Sequence, residues 1–116
     1  MLKSIFVPVT SLALALGVMT AARAEVTLYE QMRAQQEEGL IFTSPIAGIE
    51  NHLWFDYRIN VTETQKELSS DLRHVTDTED LRDAWDEYAH ELKHERIHYV
   101  KKMEERGYRV GNVFVG

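Results

Sequence analysis

Phe55-Asp56-Tyr57-Arg58-Ile59-Asn60-Val61-Thr62 is the stretch on which the fold turns. Apolar and polar residues alternate strictly along it, and period two is the mark of a half-buried strand. A second pattern runs through the same residues. Ile46, Ile49, Leu53, Tyr57, Val61, Thr64, Leu68 and Leu72 are spaced by three or four, which is a helix stripe. Aromatic and β-branched side chains fit a pleated surface better than a helix, so the expectation is a strand. The fold expected is therefore α+β: a small domain with a long C-terminal amphipathic helix, one preceding short helix and a small sheet. If the helical stripe wins, the protein is an all-α helical hairpin.

Downstream, Thr62 with Gln65 and Thr76 with Glu79 have capping-box spacing. They predict helices near residues 63–74 and 77–106, with Gly107 placed to end the second. Tyr108, Val110, Val113, Phe114 and Val115 form an apolar tail suited to pairing as a strand. Upstream, residues 40–51 carry Ser44-Pro45 and Gly48, the punctuation of a turn, with a short strand expected over 40–43. Residues 25–39 read as a weakly amphipathic helix stopped at Gly39.

The N-terminus has a different character. Lys3 is followed by an almost uncharged apolar run from Ile5 to Met19 and then by Ala22-Arg23-Ala24. That is the layout of a secretory signal peptide with a small-x-small cleavage site. The run is shorter than the roughly 20 residues a spanning helix needs, and it holds Pro8 and Gly17. The expected organisation is a signal peptide over 1–24 and a single mature domain over 25–116, periplasmic or secreted, with no membrane association after cleavage.

Removing Met1 to Ala24 deletes two cations, Lys3 and Arg23, and no acid, which takes the formal charge from -6 to -8. Nucleic acid is an unsuitable partner, because strands are held mainly by Lys and Arg against phosphates. A cationic partner, including a metal ion, suits that charge. There is no cysteine, so neither disulfides nor thiolate metal sites support the domain. Stability must come from the core alone, or from the core with a bound ion, a protein partner or a second copy in a homodimer.

The long C-terminal helix carries the chemistry. Leu81, Trp85, Tyr88, Leu92, Tyr99 and Met103 fall together on a helical wheel and form its apolar stripe. Opposite them stand His90, His94 and His98, in the run His90-Glu91-Leu92-Lys93-His94-Glu95-Arg96-Ile97-His98. This run holds the H-E-x-x-H pattern twice, overlapping at His94. Two imidazoles four residues apart project from one face and can take two positions on a zinc ion, and the Glu after the first can act as general base on a metal-bound water. The frame His94-Glu95-x-x-His98 has the more apolar neighbours, so Glu95 is the candidate catalytic residue and His94, His98 and His90 the candidate metal ligands, with Zn2+ the candidate cofactor. A catalytic zinc takes three protein ligands, and after His98 only Glu104 and Glu105 of the same helix could supply the third. His52 and His74 stand alone in the sequence.

Trp85-x-x-Tyr88-x-x-Glu91-Leu92-x-His94-Glu95-x-x-His98 resembles the C-terminal helix of a family of secreted bacterial proteins described as predicted zinc-dependent proteases. Tyr57-Arg58-Ile59-Asn60-Val61-Thr62-x-Thr64-x-x-x-Leu68 is similar to that family's strand-then-helix opening. The resemblance implies metal ligation by His94 and His98 and a base at Glu95, and leaves the third ligand unassigned. That family places further strands between the two segments, whereas here Leu72 to Asp80 joins them almost directly. Three functions follow: a periplasmic zinc-dependent hydrolase, a metal-binding protein without catalysis, and a non-catalytic structural or interaction protein in which the His/Glu stripe is a solvated helix face.

Overall fold

The computed structural model describes residues 29–110. The expected signal peptide and the apolar tail from Val113 to Val115 lie outside the described residues. Helix α1 occupies residues 29–38, a short 3-10 turn follows at Ile46–Gly48, and two long helices, α2 (His52–Arg73) and α3 (Thr78–Glu105), complete the chain. There is no strand among the described residues. The expected sheet is thus corrected: residues 40–43, 55–61 and 108–110 do not pair as strands, and the helical hairpin is the architecture.

Burial explains why the helical pattern wins in the deciding stretch. Tyr57 and Val61 are 3% and 6% exposed, whereas Phe55 and Ile59 are 49% and 55% exposed. A strand would have put all four on one face. Instead Trp54, Tyr57, Val61 and Thr64 line one side of a continuous α2, with Leu68 half-buried behind them. The helix-propensity cost of a few β-branched residues is a few tenths of a kcal/mol each, roughly 0.5. Burying one large side chain returns about 1.5–3 kcal/mol.

The helix boundaries are set by polar side chains. α2 opens at Asn51, whose side-chain oxygen accepts the Trp54 N–H at 3.1 Å. The expected start at Thr62 therefore falls in the middle of the helix. α3 opens at Asp77, which accepts the Asp80 N–H at 2.8 Å, one residue past the expected cap at Thr76. Thr76 instead donates its hydroxyl to Asp80 at 2.8 Å. α3 ends as its glycine predicts: Gly107 has φ +89, which lets Tyr108 N–H reach the Met103 carbonyl at 2.9 Å.

α2 and α3 pack antiparallel. Asn51 meets Met103 at one end, Asn60 meets Glu95 in the middle, and Asp71 lies beside Glu87 toward the connecting turn. Their seam is aromatic. Tyr57 and Tyr99 stack with ring centroids 4.7 Å apart, Trp54 lies 5.9 Å from Tyr99, and Phe42 meets Tyr99 edge-on at 5.5 Å. The apolar stripe of α3 is wider than the wheel suggested, because Ala84, Ala89, Arg96 and Val100 are also buried.

That extra width is covered by α1, which runs parallel to α3. Arg82 reaches Glu30, Arg33 reaches Asp86, Tyr88 donates to Glu38, and Arg96 reaches Glu37 at 2.9 Å. Ala34 is fully buried beneath. The segment from 39 to 51 then runs along the α2–α3 seam, held by the phenols below it. Tyr57 Oη accepts the Phe42 N–H and Tyr99 Oη accepts the Ile46 N–H, each at 3.0 Å. The turn at Ala47 and Gly48 places both in the left-handed region, with φ 56 and 70, a position a glycine accepts at no steric cost.

Candidate functional site

The candidate residues all lie on the central and C-terminal turns of α3, and the turn of the helix divides them into two sets. Glu95 points toward α2. Its Oε1 accepts a hydrogen bond from Asn60 Nδ2 at 3.0 Å, and the residue is half-buried. His90, His94 and His98 stand on the exposed outer face. Helical periodicity requires this division, since one residue past His94 is a rotation of about 100°, enough to carry Glu95 from the outer face to the flank of α2.

His94 and His98 are the pair the helix brings together. Their rings lie nearly parallel, 19° apart in plane, with centroids 6.4 Å apart. Both rings are exposed, and sharing a zinc ion would require one nitrogen of each at roughly 2.0–2.1 Å from it. His90 is turned back along the helix, its Nδ1 3.9 Å from Asp86 Oδ2 and its side chain 71% exposed. His74, past the end of α2, lies with its Nδ1 2.7 Å from the Ser70 carbonyl. His52 opens α2 and is exposed. Among the described residues no three His, Asp or Glu side chains are gathered so as to hold an ion.

The electrostatics around this pair are uneven. On the side of the connecting turn, Glu67 and Asp71 of α2 face Glu87 and Glu91 of α3 across the seam. Partial burial, joined by the repulsion of Glu67, Asp71, Glu91 and Asp83, pushes the Glu87 carboxyl above its ordinary range. Toward the C-terminus the outer turns carry Lys101 and Lys102. Buried beneath lie two tyrosines, Tyr57 and Tyr99, whose hydroxyls burial pushes above the usual phenol range.

Sequence reasoning missed Asn60 and Arg96. Asn60 holds Glu95 to α2, yet as an isolated polar residue inside an apolar alternation it gives no signal until α2 is known to be a helix. Arg96 is only 7% exposed and pairs with Glu37. It lies in the charged run His94-Glu95-Arg96, which carries no sign of burial.

Comparison with protein families, curated proteins and solved structures finds no match for the chain. No helix among the described residues is long and apolar enough to cross a membrane.

Proposed function

We propose that this chain is an exported, non-catalytic metal-binding protein in which His94 and His98 chelate a divalent transition ion, zinc foremost. The observation that carries the proposal is the pair of near-parallel, exposed imidazoles one helical turn apart on a long, well-anchored helix. Imidazole suits zinc, copper and nickel, and a rigid helix fixes the spacing of the two ligands before the ion arrives.

The hydrolase alternative has less support. A general base must reach the metal-bound water, and the Glu95 carboxylate is instead engaged by Asn60 on the α2 side. His90 is an auxiliary ligand one turn back, suited to holding an ion in exchange with the pair. The remaining partners proposed are proteins, a second copy among them. The half-exposed Phe55 and Ile59 on the outer face of α2 favour an interaction role as the second reading.

Zinc titration of the chain, purified without a histidine tag and followed by calorimetry, tests the metal proposal. His94→Ala and His98→Ala are each expected to abolish the binding isotherm, and His90→Ala to weaken it slightly. Glu95→Gln is expected to leave it intact. Because the ligands must be unprotonated imidazoles, affinity should fall as pH drops. An isotherm unchanged in both His94→Ala and His98→Ala would overturn the assignment.

A further inference from the structure

The geometry points to a zinc ion shared between two copies of this chain, packed antiparallel through the outer face of α3, with His94 and His98 from each copy completing a four-imidazole site. This rests on the metal-binding proposal above and extends it to the partner that fills the coordination sphere.

The argument starts from what zinc requires. It takes four ligands in a tetrahedron, and a pair of histidines one turn apart supplies two. Nothing among the described residues of the same chain gathers with them as a third. The outer face of α3 is exposed along its length among the described residues, so a second molecule can approach it.

Symmetry then decides the direction of approach. A two-fold axis makes residue i of one copy meet residue j of the other, and j meet i. With the axis midway between His94 and His98, antiparallel helices set His94 opposite the second copy's His98. The same axis sets Glu91 opposite the second copy's Lys101, once on each side of the metal. Glu91, His94, His98 and Lys101 follow one another at spacings of three and four, share one helix face and are all exposed.

The charge along that face is divided in the way such pairing needs. Its N-terminal half is acidic, with Glu87 and Glu91 crowded by Glu67 and Asp71 from α2. Its C-terminal half carries Lys101, with Lys102 bridged to Glu105 at 3.5 Å. A parallel arrangement would set acid against acid and lysine against lysine. The antiparallel one sets Glu91 against Lys101 on both sides of the metal, and places Glu87 opposite Glu105 one turn further out.

The test is sedimentation velocity of the full chain, expressed with its own leader and purified without a tag, with and without zinc, alongside calorimetric stoichiometry. The expected result is a monomer in chelator, a dimer with one zinc per two chains when zinc is added, and return to monomer on chelation. Lys101→Glu should weaken zinc-driven dimerisation at least tenfold, and the paired Glu91→Lys, Lys101→Glu exchange should restore it. Circular dichroism of each variant checks that the helices are retained. Zinc bound one per chain by a monomer would overturn the shared site while leaving the metal proposal standing. Failure to bind zinc at all would overturn both. A dimer that persists in chelator would overturn the zinc-bridged pairing, and a zinc dimer indifferent to Lys101→Glu would overturn the antiparallel arrangement.

Discussion

At the scale of single residues, the position of a side chain around a helix decides its chemistry more than its neighbours in sequence do. His94 and Glu95 are adjacent in a motif associated with catalysis, yet one faces outward and the other is tied to Asn60. The motif and its spacing were legible from sequence, and so was the placement of the histidines opposite the apolar stripe. The diversion of Glu95 was not, because it depends on where α2 crosses. Glu87 gives a titration that can be checked. Its folded-state carboxyl is raised by burial and by Glu67, Asp71, Glu91 and Asp83. The charged form is therefore disfavoured on folding, a destabilisation fully present above the folded pKa and relieved as pH falls toward the unfolded value. Glu87→Gln should stabilise the fold at neutral pH, by less than about 1 kcal/mol because the group is largely screened by solvent. Its advantage should vanish on mild acidification, measured by thermal denaturation across pH. Tyr99 gives a second test. Removing its hydroxyl in Tyr99→Phe strands the Ile46 N–H, and leaving a buried donor unpaired costs about 1–3 kcal/mol. Urea unfolding should report that loss as a lower midpoint.

At the scale of elements, α2 shows how two periodicities can coexist in one stretch. Phe55, Tyr57, Ile59 and Val61 alternate perfectly, but only Tyr57 and Val61 are buried. The decisive information was the longer stripe from Leu53 to Leu68, together with Asn51, whose capping role becomes visible only once the helix is drawn to begin there. Short-range alternation weighed too heavily, since it covered eight residues whereas the three-and-four spacing covered more than twenty. Substitution separates the two patterns directly. Val61→Asp should cost at least about 3 kcal/mol, as an unpaired buried charge does, while Ile59→Asp should change stability by about 0.5 kcal/mol or less, as surface substitutions do. On the strand pattern both would be equally damaging. α3 was the more legible element because its stripe runs from Leu81 to Met103, about six turns, and its terminating glycine has φ +89. The sequence understated only its width, since α1 covers a flank that a two-helix hairpin would leave wet.

At the scale of the whole molecule, two kinds of adhesion divide the structure. The α2–α3 seam is aromatic and aliphatic, whereas α1 is attached mainly through Arg82–Glu30, Arg33–Asp86, Arg96–Glu37 and the Tyr88–Glu38 hydrogen bond around a single buried alanine. Salt shortens the reach of exposed charges, to a Debye length of about 3 Å at 1 M, and leaves apolar burial in place. Amide hydrogen exchange should therefore accelerate over residues 29–38 in concentrated salt while α2 and α3 stay protected. Equal acceleration in all three helices would show instead that α1 opens only with the global unfolding of the bundle. The aromatic seam has an optical consequence. Tyr57 and Tyr99 are locked face to face, with Trp54 beside them in an asymmetric array, so their electronic transitions couple in a chiral environment and the protein carries its own near-ultraviolet dichroism signal. That band gauges the register of one helix against the other. A variant that keeps its far-ultraviolet helix spectrum but loses this band has intact helices that no longer sit in their proper places.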